Sequence, residues 1–115
     1  MLKTSSLNEN RLFRALYSRG RSVASKTLVV YAAKNRSGES RLGITVSKKL
    51  GNAVARNRMR RRLKECYRLN EENVTGGFDL VLVARRASYS APFEHLQDDF
   101  LSCLSQIGAH KGNVT

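Results

Sequence analysis

The chain has no tryptophan, a single proline, two cysteines, and few acidic residues. Two cysteines, Cys66 and Cys103, are too few for a disulfide scaffold. Neither stands in a CxxC pair or beside a histidine at ligand spacing. Both fall among apolar residues at helical spacing, which predicts small buried hydrophobes. No apolar run reaches transmembrane length, and Met1–Ser6 lacks the apolar stretch of a signal peptide, so the expected location is the cytoplasm. Acid scarcity is the largest bias. Nine Asp and Glu stand against 21 Lys and Arg, giving a formal charge of +12 and a pI near 10.5. Such a chain repels itself on compaction unless a polyanion lies close, and nucleic acid or an anionic membrane are the usual ones.

What is present suits one folded domain. The 115 residues are 41% hydrophobic, without repeats or low-complexity tracts. The expected domain is 1–115, with 1–6 and 108–115 as flexible tails. Periodicity predicts a helix over Asn8–Ser18, with Leu12, Phe13, Leu16 and Tyr17 on one face and Gly20 as its stop. Ser22–Ala33 reads as a strand long enough to bend or split. After the turn residues 35–40, Arg41–Ser47 alternates as a second strand, and an antiparallel hairpin between the two is expected. A long helix follows from Ala53 to about Leu69, with Asn52 as N-cap. Phe78–Ala84 is an almost continuous apolar strand, which suggests a central place in the sheet. A last helix spans Pro92–Ile107, with Pro92 in its first turn. The order α-β-β-β-α-β-α predicts an α+β fold, a single-domain α/β sandwich of a small four-stranded sheet and three helices.

The long helix carries the charge. Nine of the 21 basic residues lie between Lys48 and Arg68, where the only acid is Glu65. At 100° per residue, Ala55, Met59, Leu63, Cys66 and Tyr67 form an arc about 120° wide, as a core-facing stripe should. Arg60, Arg61, Lys64 and Arg68 fill one flank, and Arg58 and Arg62 the other. Arg56 sits over the stripe in the first turn, where its long stem can leave the core. The pairs Arg60–Lys64, Lys64–Arg68 and Arg58–Arg62 each cost a few tenths of a kcal/mol by i,i+4 repulsion, which a polyanionic partner would relieve. Free N–H groups at the helix start, with Lys48 and Lys49 beside them, can receive phosphate. The arginine bias favours bidentate phosphate contacts and stacking on bases. Membrane binding is the weaker reading, since the stripe lacks Trp, Phe and Ile and is needed for the core.

RNA is favoured over DNA because no zinc-finger ligands, leucine zipper or helix-turn-helix is visible. Phe13, Tyr17 and Tyr31 could stack on bases, although periodicity by itself favours the core for them. No catalytic constellation emerges. His95 and His110 lie on the last helix and in the tail, and Asp98 and Asp99 are adjacent and point to different sides, a poor two-metal site.

The stretch Val46–Glu65, with Lys48-Lys49-Leu50-Gly51-Asn52-Ala53 leading into Arg56-Asn57-Arg58 and the arginine helix, resembles the signature of the bacterial ribonuclease P protein family. Phe13, Tyr17, Ser22-Val23-Ala24, Tyr31 and Ala84-Arg85-Arg86 fit as well, so the resemblance covers most of the chain. It implies a left-handed β-α-β crossover through the basic helix, against the usual right-handed rule. It also implies two RNA surfaces. Lys48, Lys49, Asn52, Arg56, Asn57, Arg58, Arg60, Arg61, Arg62, Lys64, Arg68, Arg85 and Arg86 would face the catalytic RNA. Phe13, Tyr17, Tyr31, Thr45 and Ser47 would line a cleft for the single-stranded 5′ leader of precursor tRNA, reversing the core preference for the three aromatics. Arg60 stands where lysine is frequent in the family and Lys64 where arginine is frequent, which keeps charge but removes bidentate geometry at Lys64. In that reading the protein has no catalytic residue and no metal site. Mg2+ belongs to the holoenzyme and is held mainly by RNA, and neither a membrane nor an obligate protein partner is needed. A structural rRNA-binding ribosomal or assembly protein is the main alternative, ahead of a protein-only nuclease and a general DNA-binding module.

Overall fold

The computed structural model describes residues 4–6, 14, 16–18 and 20–112. Five strands form one mixed sheet: β1 (Thr4–Ser6), β2 (Arg21–Ala24), β3 (Leu28–Lys34), β4 (Ser40–Thr45) and β5 (Phe78–Ala84), in the spatial order β1-β4-β5-β3-β2. Two long helices, α1 (Ala53–Asn70) and α2 (Phe93–Ile107), join it. Residues 14 and 16–18 are helical, within the first predicted helix. The α+β sandwich is therefore present with its four expected strands, and β1 adds a short parallel edge beside β4. The predicted Ser22–Ala33 strand splits into β2 and β3 at a turn where Ser25 N–H donates to Leu28 O (2.9 Å).

The expected hairpin does not form. β3 pairs antiparallel with β5 along its whole length, and β5 pairs parallel with β4 on its other side. The reason lies in β5 itself. Its residues are buried on both faces apart from half-buried Val83, so it requires a strand on each side, and it inserts between β3 and β4. The one charge in β5, Asp79, is 7% exposed and receives Arg41 Nε and Nη2 at 2.7 Å each, with Asn35 Nδ2 at 2.9 Å. Arg41 is the register partner of Asp79, so a one-residue slip would leave a buried carboxylate without its bidentate guanidinium. The parallel β4–β5 pair needs a crossover, and α1 is that crossover.

One face of the sheet carries both long helices. Met59, Leu63, Cys66 and Tyr67 from α1, and Leu96, Phe100, Cys103, Leu104 and Ile107 from α2, pack on Leu28, Val30, Leu42, Leu80 and Leu82. Both thiols are buried as expected, and burial pushes Cys66 up to about 12, so it is an inert hydrophobe at neutral pH. Asn52 caps α1, its Oδ1 accepting from Ala55 N–H (2.9 Å). Pro92 is the N-cap of α2 and not part of its first turn. The opposite face is covered only in part: buried Leu16 packs on Val81 with Tyr31, Ala33 and Val83 around it. Gly20 permits this close approach, because a Cβ there would lie 2.5 Å from Leu16 O and 2.9 Å from Ala32 O.

Parts of both expected tails are bonded into the fold. Residues 4–6 pair with β4, as above. Beyond α2, Ala109 is fully buried, Thr75 N–H donates to Ala109 O (2.8 Å), Lys111 N–H to Asn73 O (2.6 Å), and His110 bridges Val74. Buried Ala109 and these main-chain contacts together hold the segment after the Gly108 cap against the α1–β5 loop.

Candidate nucleic-acid interface

The docked stripe of α1 leaves its charged flanks outward. Lys48, Lys49, Asn57, Arg58, Arg60, Arg61, Lys64, Arg68, Arg85 and Arg86 are exposed, as is the cap Asn52. Val54, Asn57, Arg60, Arg61 and Lys64 line a shallow groove of about 420 Å³ along the helix. Asn57 Oδ1 accepts from Arg60 Nη1 (3.1 Å), which steadies that guanidinium. Arg61 and Lys64 make no ion pair or hydrogen bond among the described residues. Val54, 76% exposed, gives the groove an apolar edge.

The thirteen basic-surface candidates do not all point the same way. Arg62 Nη1 donates to Ser88 O (2.5 Å) and Nη2 to Ala91 O, across the turn Arg86–Tyr89 and the start of α2. Burial, and then the neighbouring Arg58 charge, lower its pKa, yet it stays ionised at physiological pH. Arg62 thus pins a loop. Arg62→Ala is expected to destabilise the fold by about 1.5–3 kcal/mol, the usual worth of charge-assisted hydrogen bonds. It should leave the salt dependence of RNA binding nearly unchanged. Urea melts and a salt titration check both, and an unaltered melt would remove the pinning role.

Arg56 is half-buried, its Nε enclosed without a partner, so its stem does not leave the core as far as expected. Arg58 Nε donates to Tyr89 O (3.0 Å). Arg68 forms an ion pair with Glu65, which lowers the Glu65 pKa and raises that of Arg68. Arg85 Nη1 reaches Ser25 O (2.8 Å) and Arg86 Nη2 approaches Lys49 O (3.4 Å), which ties the Arg86–Tyr89 turn to the start of α1.

Tyr17 and Tyr31 lie on the other, partly covered face. Tyr31 is half-buried, between Ser22 on β2 and Val81 on β5, and the Tyr17 ring meets it edge-on with centroids 4.7 Å apart. Tyr17 is 41% exposed, which is incompatible with the core role that periodicity favoured. Thr45 shares this face, in the row Thr45–Val83–Val29. Ser47 lies past the strand end, its Oγ capping Lys49 N–H (3.2 Å). Phe13 lies outside the described residues. Asp99 is spent on Thr27, accepting from its N–H and hydroxyl at 3.2 and 2.7 Å. No group of three His, Cys, Asp or Glu gathers among the described residues.

The basic helix thus docks by a narrow apolar stripe with cations outward, and the Tyr17–Tyr31 pair lies on the opposite face of the sheet. A family model described as Ribonuclease P matches residues 1–108. The chain belongs to the ribonuclease P protein family. It is 40% identical over 110 residues to the ribonuclease P protein component of Clostridium botulinum (strain Langeland), covering 95% of this chain and 99% of that one. The component of Clostridioides difficile (strain 630) is 47% identical over 95 residues, 82% of this chain and 83% of the other. Among solved structures, a Staphylococcus aureus RNase P protein mutant with defective mRNA degradation activity aligns with a TM-score of 0.80 at 32% identity, over 90% of this chain and 88% of that chain. The RNase P protein from Thermotoga maritima gives 0.77 at 31% identity, over 85% and 93%. Membership makes the chain an RNA-binding, tRNA-processing protein component of a ribonucleoprotein endoribonuclease, and sets aside the ribosomal alternative. No helix among the described residues is long and apolar enough to cross a membrane.

Sequence reasoning missed three contributors within this ribonuclease P fold. Arg41 and Asp79 lock the sheet that carries Tyr31 and Thr45, and the cue was a lone acid in an apolar strand. Tyr89 carries the Arg58 guanidinium over its ring. Nothing in a loop tyrosine 31 residues downstream announces that contact.

Proposed function

We propose that the outer face of α1 binds the catalytic RNA of ribonuclease P, and that the Tyr17–Tyr31 surface receives the 5′ leader of precursor tRNA. The observation that carries this reading is the separation of the two surfaces. The cations Lys48, Lys49, Arg61 and Lys64 are exposed beside the start and along the outer side of α1. The exposed tyrosine edge belongs to the sheet face opposite the one on which α1 packs. One molecule can then touch two RNAs at once. The cations screen repulsion between the RNAs, and the aromatic surface holds unpaired leader bases by stacking. Product lacks the leader, so this contact distinguishes precursor from mature tRNA without touching the scissile bond.

Charge stabilisation at the reacting phosphate would come from Mg2+ in the holoenzyme. Among the described residues no three-residue group of His, Cys, Asp or Glu comes together. RNA is the proposed holder of the ion.

The test is cleavage of a precursor tRNA at low magnesium by a bacterial ribonuclease P RNA, with and without this protein. Protein-dependent cleavage at the mature 5′ end is expected, and intact RNA binding without stimulation would overturn the reading. Tyr17→Ala with Tyr31→Ala should weaken precursor binding by about tenfold or more, from stacking worth roughly 1–3 kcal/mol per base. Mature tRNA should be almost unaffected. Equal losses for both would reduce the tyrosines to sheet packing.

A further inference from the structure

Beside the start of α1, the turn Arg86–Tyr89 presents an aromatic ring that the fold does not bury. Tyr89 is 43% exposed, and Arg58 Cζ lies 5.1 Å from its ring centroid. Arg58 Nε also donates to the Tyr89 carbonyl at 3.0 Å, so ring and guanidinium are held together by two interactions between the same residues. The turn itself is held by several hydrogen bonds. Ser88 N–H donates to Arg85 O (2.8 Å), Ala91 N–H to Ala87 O (3.0 Å), and Arg62 clamps the carbonyls of Ser88 and Ala91. Lys49, Arg85 and Arg86 are exposed around it, with Arg86 reaching the Lys49 carbonyl.

We infer that Arg58 and Tyr89 form a stacking platform for one unpaired nucleobase of the catalytic RNA. This rests on the proposed role of α1 and adds an interaction of a different kind. Phosphate contacts position an RNA without reading it, whereas a flat aromatic or guanidinium surface takes the face of a splayed-out base. A tyrosine has few torsions to freeze, and here its backbone is already pinned, so stacking costs little entropy. The surrounding cations select a polyanion's base over a free aromatic ligand or an apolar peptide. The catalytic RNA is the occupant because Tyr89 is tied to α1 through Arg58, on the helix-bearing side of the molecule, and not to the Tyr17–Tyr31 surface assigned to the leader.

The experiment measures binding of the full chain to a bacterial ribonuclease P RNA over a range of salt, for wild type, Tyr89→Ala and Tyr89→Phe. It is paired with photo-cross-linking from a benzophenone amino acid at position 89. Tyr89→Ala is expected to weaken binding by about 5–150-fold with an unchanged log–log salt slope, since stacking releases no counterions. Tyr89→Phe should restore most of the loss, and the cross-link should map to an unpaired nucleotide of the catalytic RNA. Thermal melts establish that each variant is folded. A folded Tyr89→Ala protein with wild-type affinity overturns the platform. So does a slope reduced by about 0.7–0.9, which would mean that the loss comes from one phosphate interaction displaced with Arg58. A cross-link confined to duplex or to the precursor tRNA also overturns it. If cleavage is still stimulated in those cases, the platform alone fails. Absence of both stimulation and RNA binding in the wild type sinks the assignment of α1 and the platform with it.

Discussion

Arg60→Ala, Arg61→Ala and Lys64→Ala combined are expected to lower affinity for the catalytic RNA by about 50–200-fold at roughly 0.15 M salt, and to reduce the log–log salt slope by about 2–3. The magnitude follows from counterion release, with about 0.7–0.9 in slope for each phosphate that is no longer neutralised. These three side chains line the outer groove of α1. Arg61 and Lys64 have no partner within the described residues, and Arg60 leans only on Asn57. Their removal therefore withdraws charge while leaving the packing of the fold intact. Stability should hold or rise slightly, because the Arg60–Lys64 repulsion at i,i+4 disappears. A filter-binding salt series together with a urea melt tests both halves. A slope unchanged within error would move the RNA interface away from this face, to Lys48, Lys49, Arg85 and Arg86.

Phe100→Ala should have the opposite signature: a large loss of stability with no change in salt slope for the molecules that remain folded. Phe100 is fully buried at the joint of the two long helices, its ring 5.9 Å from that of fully buried Tyr67 and tilted by 58°. Truncating such a residue removes its transfer free energy and leaves a cavity, at a cost of about 3–5 kcal/mol. At this chain length that corresponds to a drop in Tm of roughly 12–20 °C. A domain of this size holds about 5–15 kcal/mol in total, so the substitution removes between about a fifth and all of the folding stability. Denaturant unfolding gives the number directly. A loss below about 1 kcal/mol would mean that α1 does not rely on α2 for its place.

The long helices and the central strand were legible in the chain. Periodicity placed α1 and α2 to within a residue or so and named their buried stripes, because a helix repeats locally and its apolar face must be covered whatever covers it. The almost continuous apolar run of Phe78–Ala84 likewise pointed to a central strand. The charge excess and the Val46–Glu65 motif pointed to RNA without reference to any contact in space.

Strand order was decided elsewhere. Local alternation favoured a hairpin between neighbouring strands, but burial of β5 on both faces outweighed it, and the Arg41–Asp79 pair spans residues 38 apart. Individual arginines were sorted by the same long-range geometry. On a helical wheel Arg58 and Arg62 mirror Arg61 and Lys64, yet their guanidiniums meet main-chain carbonyls 26 to 31 residues away while the other pair stays free among the described residues. Carbonyl acceptors have no residue type, so no motif encodes that division. The exposure of Tyr17 has a related cause. An amphipathic pattern states which face is apolar, but only the assembled sheet shows that Leu16 and Val81 make the buried contact on this face, with Tyr31 half-buried against it and Tyr17 left exposed.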